Sequence, residues 1–215
     1  MYDYILFDLD GTLTDPVLGI TNSVAYALNK FGITVNDRSE LHKFIGPPLI
    51  DSFMGFYGMS REDAEQATAY YRENFRAGGM FENEVYPGIP ELLAELQAQG
   101  KKIILATSKP EEFAVKILQH FDLAQYFDFM GGASMDGTRS HKADVIAYSL
   151  EMGQVSDRSR AVMIGDREYD ILGAKQFGLD SVGVLFGYGS RAELEAAGAT
   201  HIVATVAELL PLLVK

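Results

Sequence analysis

Four short apolar runs punctuate the chain: "YILF" at 4–7, "KIILA" at 102–106, "AVMIG" at 161–165 and "SVGVL" at 181–185. Each is only four or five residues long, rich in Ile and Val, and without polar alternation. That pattern predicts parallel strands buried on both faces. Helical periodicity lies between them. Ile89, Leu92, Leu93 and Leu96 fall at i, i+3, i+4 and i+7, with Pro90 near the start and Gly100 just past the end, which predicts an amphipathic helix. A second helix is expected from Lys109-Pro110 through Leu118, and a third from Lys142 to about Glu151. The alternation of strand and helix from about residue 84 onward predicts a doubly wound, Rossmann-like α/β core.

Residues 16–83 have a different pattern. Ile20, Val24, Ala27, Leu28 and Phe31 form one helical stripe, and Ala64, Ala67, Tyr71 and Phe75 form another. Ser60, with Asp63 three residues on, resembles a capping signal for the second stripe. Between the stripes, "IGPPLIDSFMGFYG" starts as a turn and becomes apolar and aromatic, with no strand pattern. The expected organisation is therefore an α/β core built from 1–15 and 84–215, with an α-helical cap domain, 16–83, inserted after the first strand.

Composition narrows the class. A chain of 215 residues accommodates one core and a smaller lobe. Hydrophobic residues make up 47% and charged residues 22%, and mean hydropathy is near zero, a globular balance. No apolar run approaches the roughly eighteen residues that span a bilayer. The N-terminus lacks a basic stretch followed by an apolar one, so a cytoplasmic location is expected. The absence of cysteine rules out disulfides, thiolate metal ligands and a cysteine nucleophile. Net charge is −12, from 18 basic and 30 acidic side chains, which disfavours nucleic acid polymers and anionic membranes. An anionic substrate then needs local positive charge. His42, His120, His141 and His201 show no zinc spacing, and neither a phosphate-binding G-x-x-x-x-G-K-[ST] loop nor a G-x-S-x-G elbow is present. No pattern specifies an oligomeric state.

Three of the predicted strands finish on polar residues: the first at Asp8, the "KIILA" strand at Thr107-Ser108, and the "AVMIG" strand at Asp166. In an open parallel sheet, ligands bind beyond the carboxyl ends of the strands, so these residues converge on one rim. "GDREYD" adds Asp170, and a helix starting near Arg167 would stack Asp166 and Asp170 at i, i+4. Asp8 and Asp10 of "DLDGT" bring the acids at this edge to four. Such hard oxygen ligands suit Mg²⁺, which would offset the repulsion between them. Thr107, with its hydroxyl and neighbouring N–H groups, suits phosphate oxygens. Lys142, at a helix start, adds an ammonium to the helix N-terminal N–H groups. Gly11 permits close backbone approach or an unusual turn. Taken singly, "GDREYD" reads as a helix N-cap with a solvated acid and "DLDGT" as an Asp-capped turn; together the ingredients suit phosphoryl transfer.

In order, "DLDGT", "ATSK", "SHKADVI" and "GDREYD" resemble the four motifs of the haloacid dehalogenase superfamily, in its phosphatase branch. Segment 16–83 is similar to the cap that many members insert after the first motif. The resemblance implies that Asp8 is the nucleophile, forming an aspartyl-phosphate. It implies that Asp10 protonates the leaving oxygen and then activates water. Thr107, Ser108 and Gly11 would bind the phosphoryl group, and Lys142 would hold both Asp8 and the phosphoryl oxygens. Mg²⁺ would be held by the Asp8 carboxylate, the Asp10 backbone carbonyl and Asp166, with support from Asp170. The paired acids argue against dehalogenation. "GITNSVAYALNKF" lacks the His and Trp of the related mutases, and Lys30 and Lys43 read as surface residues rather than Schiff-base lysines.

"FIGPPLIDSF" together with "GYGS" resembles the subgroup described as phosphoglycolate phosphatase-like or 5′-nucleotidase-like. In that architecture the inner face of the cap selects the leaving group, and Lys43, Gly46, Pro47 and Arg76 are the candidates here. Lys43 or Arg76 would pair with a carboxylate, whereas Phe53, Phe56 and Tyr57 would stack a base. The expected activity is Mg²⁺-dependent hydrolysis of a small phosphorylated metabolite. The alternatives are a phosphotransferase or mutase of the same superfamily, or a non-catalytic phospho-aspartate signalling module. The last is about half this size and carries its modified Asp on a later strand.

Overall fold

A computed structural model describes residues 1–214. Among these residues the strands are β1 (Tyr4–Phe7), β2 (Thr14–Asp15), β3 (Glu84–Val85), β4 (Lys102–Pro110), β5 (Phe129–Ala133), β6 (Ala161–Gly165), β7 (Asp180–Val184) and β8 (His201–Val203). Six form one sheet in the order β5-β4-β1-β6-β7-β8, while β2 and β3 form a separate two-stranded sheet. All pairings in the large sheet are parallel, with Tyr4 in register with Lys102 on one side and Ala161 on the other. β1 is therefore central, at the point where the strand order turns from one direction to the other. Such a point leaves a crevice at the carboxyl ends of the strands.

β1 and β6 coincide with the first and third apolar runs, and β7 starts one residue earlier than its run. β4 differs more. It continues through Pro110, so the helix expected from Lys109 begins at Glu111 instead. The pairing of β4 with β5 shifts register between Thr107, opposite Gly132, and Pro110, opposite Ala133. This bulge lets the strand carry a proline at its end and re-aims the side chains between. β5 has no forecast in the sequence because Gly131 and Gly132 dilute its strand pattern, and β8 is only three residues long.

Two compact units are present: Pro16–Glu84, and Met1–Asp15 together with the chain from Val85 onward. The first holds α1 (Val17–Lys30), α2 (Leu49–Tyr57) and α3 (Arg61–Ala77). The stripes of α1 and α3 are buried where the two helices pack. Ser60 caps α3, its side chain accepting from the Asp63 N–H at 3.1 Å. The apolar stretch between the stripes supplies α2, whose Phe53 is fully buried against Phe44, ring centroids 5.0 Å apart. Phe53 is thus core of this unit and not a surface for stacking a base.

The second unit adds α4 (Ile89–Ala98), α5 (Glu111–His120), α6 (Lys142–Met152), α7 (Glu168–Gln176), α8 (Arg191–Ala197) and α9 (Leu209–Leu213). On one face of the sheet Leu6, Ile104 and Met163 pack with Val145 and Ile146 of α6 and Ala174 of α7. The alternate residues Ile5, Phe7, Ile103 and Leu105, also fully buried, point to the opposite face. Right-handed crossovers direct α4 and α5 there. Among the described residues, no helix is long and apolar enough to cross a membrane.

Candidate active site

Asp8 follows β1 directly, and its backbone N–H donates to the Ile164 carbonyl of β6 at 2.9 Å. That bond sets Asp8 beside the strand whose end leads to Asp166. Asp8, Asp166 and Asp170 are all buried, and each offers a carboxylate oxygen within 4.8 Å of the others'. Lys142, the first residue of α6, reaches into the same cluster. Its Nζ lies 2.8 Å from Asp8 Oδ1 and 2.7 Å from Asp170 Oδ1, and donates to the Ala106 carbonyl of β4 at 3.1 Å. Adjacent parallel strands and one helix start thus bring together residues distant in sequence.

The acids approach closely because glycines surround them. Gly11 has φ +80°, and a Cβ there would meet the Asp166 carboxylate; a Cβ at Gly165 would meet that of Asp170. Asp166 lies outside α7, because Arg167 is extended and the helix begins at Glu168. The expected i, i+4 stacking on one helix is therefore absent. Asp170 turns back instead, its Oδ2 accepting from the Arg167 N–H at 3.0 Å. Glu193 fastens this turn, accepting from Arg167 Nε at 2.8 Å and from the Glu168 N–H at 2.9 Å. Asp166 Oδ2 accepts from the Tyr188 N–H at 2.7 Å, and the Tyr188 hydroxyl donates to Asp15. The "GYGS" segment is thus part of the site's scaffold.

Charge is unbalanced here. Three carboxylates face one ammonium. Burial, then the charges of Asp170 and Asp8, push the Asp166 carboxyl well above the usual range. Burial raises Asp170 as well, against the pull of Lys142. Burial alone would lower the Lys142 ammonium, but Asp170 and Asp8 outweigh it and raise its pKa. Asp166 Oδ1 is buried without a hydrogen-bond partner. An excess of hard anionic oxygens around an unsatisfied one fits a divalent cation of the Mg²⁺ type.

The Asp10 side chain is not in this cluster. It faces β4, where Lys109 Nζ lies 2.6 Å from its Oδ2. Burial, the largest influence, raises the Asp10 carboxyl, and Lys109 only partly offsets it. Thr107 is 1% exposed, and its Oγ1 accepts from the Lys109 N–H at 3.2 Å; Ser108 beside it is half-buried. From its sequence context Lys109 reads only as a helix start. Period two along a regular strand would set Thr107 and Lys109 on one side, but the register shift that keeps Lys109 in β4 comes from pairing with β5.

Lys43 and Arg76 belong to the Pro16–Glu84 unit and are both exposed. Lys43 Nζ lies over the rings of Phe56, at 4.8 Å, and Tyr57, at 5.4 Å, and Arg76 lies in the last turn of α3.

Residues 5–184 match the family described as haloacid dehalogenase-like hydrolase. The chain is 46% identical over 208 residues to a 5′-nucleotidase of Pseudomonas aeruginosa, covering 97% of this chain and 94% of that protein. It is 39% identical over 207 residues to tyrosine-protein kinase PtkA of Mycobacterium tuberculosis, covering 95% and 70% respectively. The crystal structure of a predicted phosphatase from Clostridium acetobutylicum superposes with a TM-score of 0.94 at 53% identity, covering 98% of this chain and 97% of that one. The sheet order, the acid–lysine cluster and these likenesses agree: the chain belongs to the haloacid dehalogenase-like hydrolases and is an enzyme of their phosphatase branch.

Proposed function

We propose that this enzyme hydrolyses small phosphate monoesters in a Mg²⁺-dependent reaction through an aspartyl-phosphate, with 5′-nucleoside monophosphates as the leading substrate class. The observation that carries the reaction is the buried cluster of Asp8, Asp166 and Asp170 around Lys142. The likeness to a 5′-nucleotidase supports the substrate class.

Asp8, Asp166 and the Asp10 backbone carbonyl would hold the cation, with Asp170 supporting them. When bound, Mg²⁺ supplies positive charge that lets an anionic nucleophile approach an anionic phosphate. Lys142 adds to that shielding from its fixed place against Asp8. In the first step an Asp8 oxygen forms a bond to phosphorus as the ester P–O bond breaks. The departing oxygen takes a proton from Asp10, and Thr107 donates to a phosphoryl oxygen. In the second step water attacks phosphorus and gives its proton to Asp10. Asp8 is restored and inorganic phosphate released.

Phosphate release from nucleoside monophosphates, phosphoglycolate, sugar phosphates and pyrophosphate, each with Mg²⁺ or with chelator, tests this reading. Release that depends on Mg²⁺ and is fastest with a nucleotide supports it; fastest release from phosphoglycolate replaces the substrate class and keeps the chemistry. A second reading, transfer to another acceptor, is favoured by the likeness to a protein named a tyrosine kinase. A labelled acceptor in place of free phosphate as product would establish it.

A further inference from the structure

The hydrolytic cycle uses Asp10 but leaves its buried partner, Lys109, without a task. Lys109 is 8% exposed, and its Nζ lies 2.6 Å from Asp10 Oδ2. The other oxygen of that carboxyl, Asp10 Oδ1, is buried and has no hydrogen-bond partner. The two oxygens of Asp10 are thus in unlike settings, one held by an ammonium and one open. The β4 bulge lies between Thr107 and Pro110, and bulges beside reaction centres serve to re-aim side chains. β4 is the neighbour of β1 in the sheet, so a residue past its Thr107 can reach one past β1. Lys109 also donates its backbone N–H to Thr107 Oγ1, which fills an acceptor position of that hydroxyl and leaves its hydrogen for a phosphoryl oxygen.

We propose that Lys109 is a positioning residue that clamps Asp10 Oδ2 and so selects Oδ1 as the oxygen that exchanges protons with the leaving group and with water. The inference rests on the acid–base reading of Asp10. Under it, the Oδ1 proton passes to the ester oxygen as the P–O bond breaks, and a water proton returns to Oδ1 as phosphate is released. Without the clamp the carboxyl rotates, and misplacement of about an ångström costs on the order of a hundredfold in rate.

Three variants, Lys109→Met, Asp10→Asn and the double variant, assayed with an alkyl phosphate and p-nitrophenyl phosphate, test this. Lys109→Met is expected to lower kcat on the alkyl ester by about ten- to a hundredfold while KM moves less than about threefold. The loss is smaller on p-nitrophenyl phosphate, whose leaving group needs little protonation. In the Asp10→Asn background, Lys109→Met costs nothing further. Equal losses on both esters, or a further loss in the double variant, overturn the inference while leaving Asp10 as acid and base. Full alkyl-ester turnover by Asp10→Asn overturns the acid–base reading and the inference with it. Should Lys109→Met alone not fold, the double variant removes both charges, and its rate against Asp10→Asn decides by the same criterion.

Discussion

Lys142 Nζ stands 2.8 Å from Asp8 Oδ1, with both side chains less than one-tenth exposed. The same ammonium meets Asp170 at 2.7 Å, so one lysine bridges two buried acids. Removing one member of a buried ion pair leaves an uncompensated charge and costs about 3–5 kcal/mol. Lys142→Met is therefore expected to destabilise the protein by about 3 kcal/mol in the presence of chelator. It also lowers kcat by at least about a hundredfold. Urea unfolding and phosphate release measure the two; unchanged stability would show that the pair is not the anchor the geometry describes.

A cation bound among Asp8, Asp166 and Asp170 stabilises only the folded chain. At about a hundredfold excess over its dissociation constant, Mg²⁺ adds about 2.7 kcal/mol, which for a protein of this size raises Tm by about 5–10 °C. Asp166→Asn is expected to remove most of that shift, since Asp166 Oδ1 is otherwise unpartnered. Thermal melts with and without Mg²⁺ check this, and an equal shift in the variant would contradict the assigned site.

Gly11→Ala tests the close packing around Asp166. The new Cβ meets the Asp166 carboxylate, at a backbone φ of +80° that alanine rarely adopts. The variant is expected to fold less stably by about 1–3 kcal/mol and to need more Mg²⁺ for half-maximal activity. Titration of activity against Mg²⁺ gives the comparison; wild-type dependence would mean that the turn tolerates a side chain.

Glu193 gives a pH dependence. Burial pushes its carboxyl up, but the Glu168 N–H and the Arg167 guanidinium outweigh burial and hold it below the usual range. A carboxylate lowered in the folded state contributes stability above the unfolded value, roughly pH 4.3. That contribution disappears as pH falls through the lower folded value. Glu193→Gln should cost about 1 kcal/mol near neutrality and almost nothing well below pH 4. Melting curves across that range check it, and a cost independent of pH would point to packing instead.

Much of this arrangement is legible in the chain. "YILF" and "AVMIG" specify buried parallel strands because nothing polar interrupts them, and the acids beyond them then fall on one rim. Lys142 is found at the helix start its context predicts. What escapes the sequence follows from tertiary packing. The Gly131-Gly132 strand is held by its neighbour β4, not by its own propensity. Lys109 reads as a helix start because the bulge that keeps it in β4 depends on pairing with β5. Asp166 and Asp170 meet through the extended Arg167 and not through helical spacing, a turn held by Glu193 from a later element.

Turnover by the proposed route places a phosphoryl group on Asp8. Rapid acid quench of the enzyme with Mg²⁺ and its fastest substrate, followed by peptide mass spectrometry, measures this directly. One phosphoryl group on the peptide carrying Asp8, absent in Asp8→Asn along with turnover, is the predicted result. Undiminished phosphate release by Asp8→Asn, or a phosphoryl group found on another residue in its place, would contradict it.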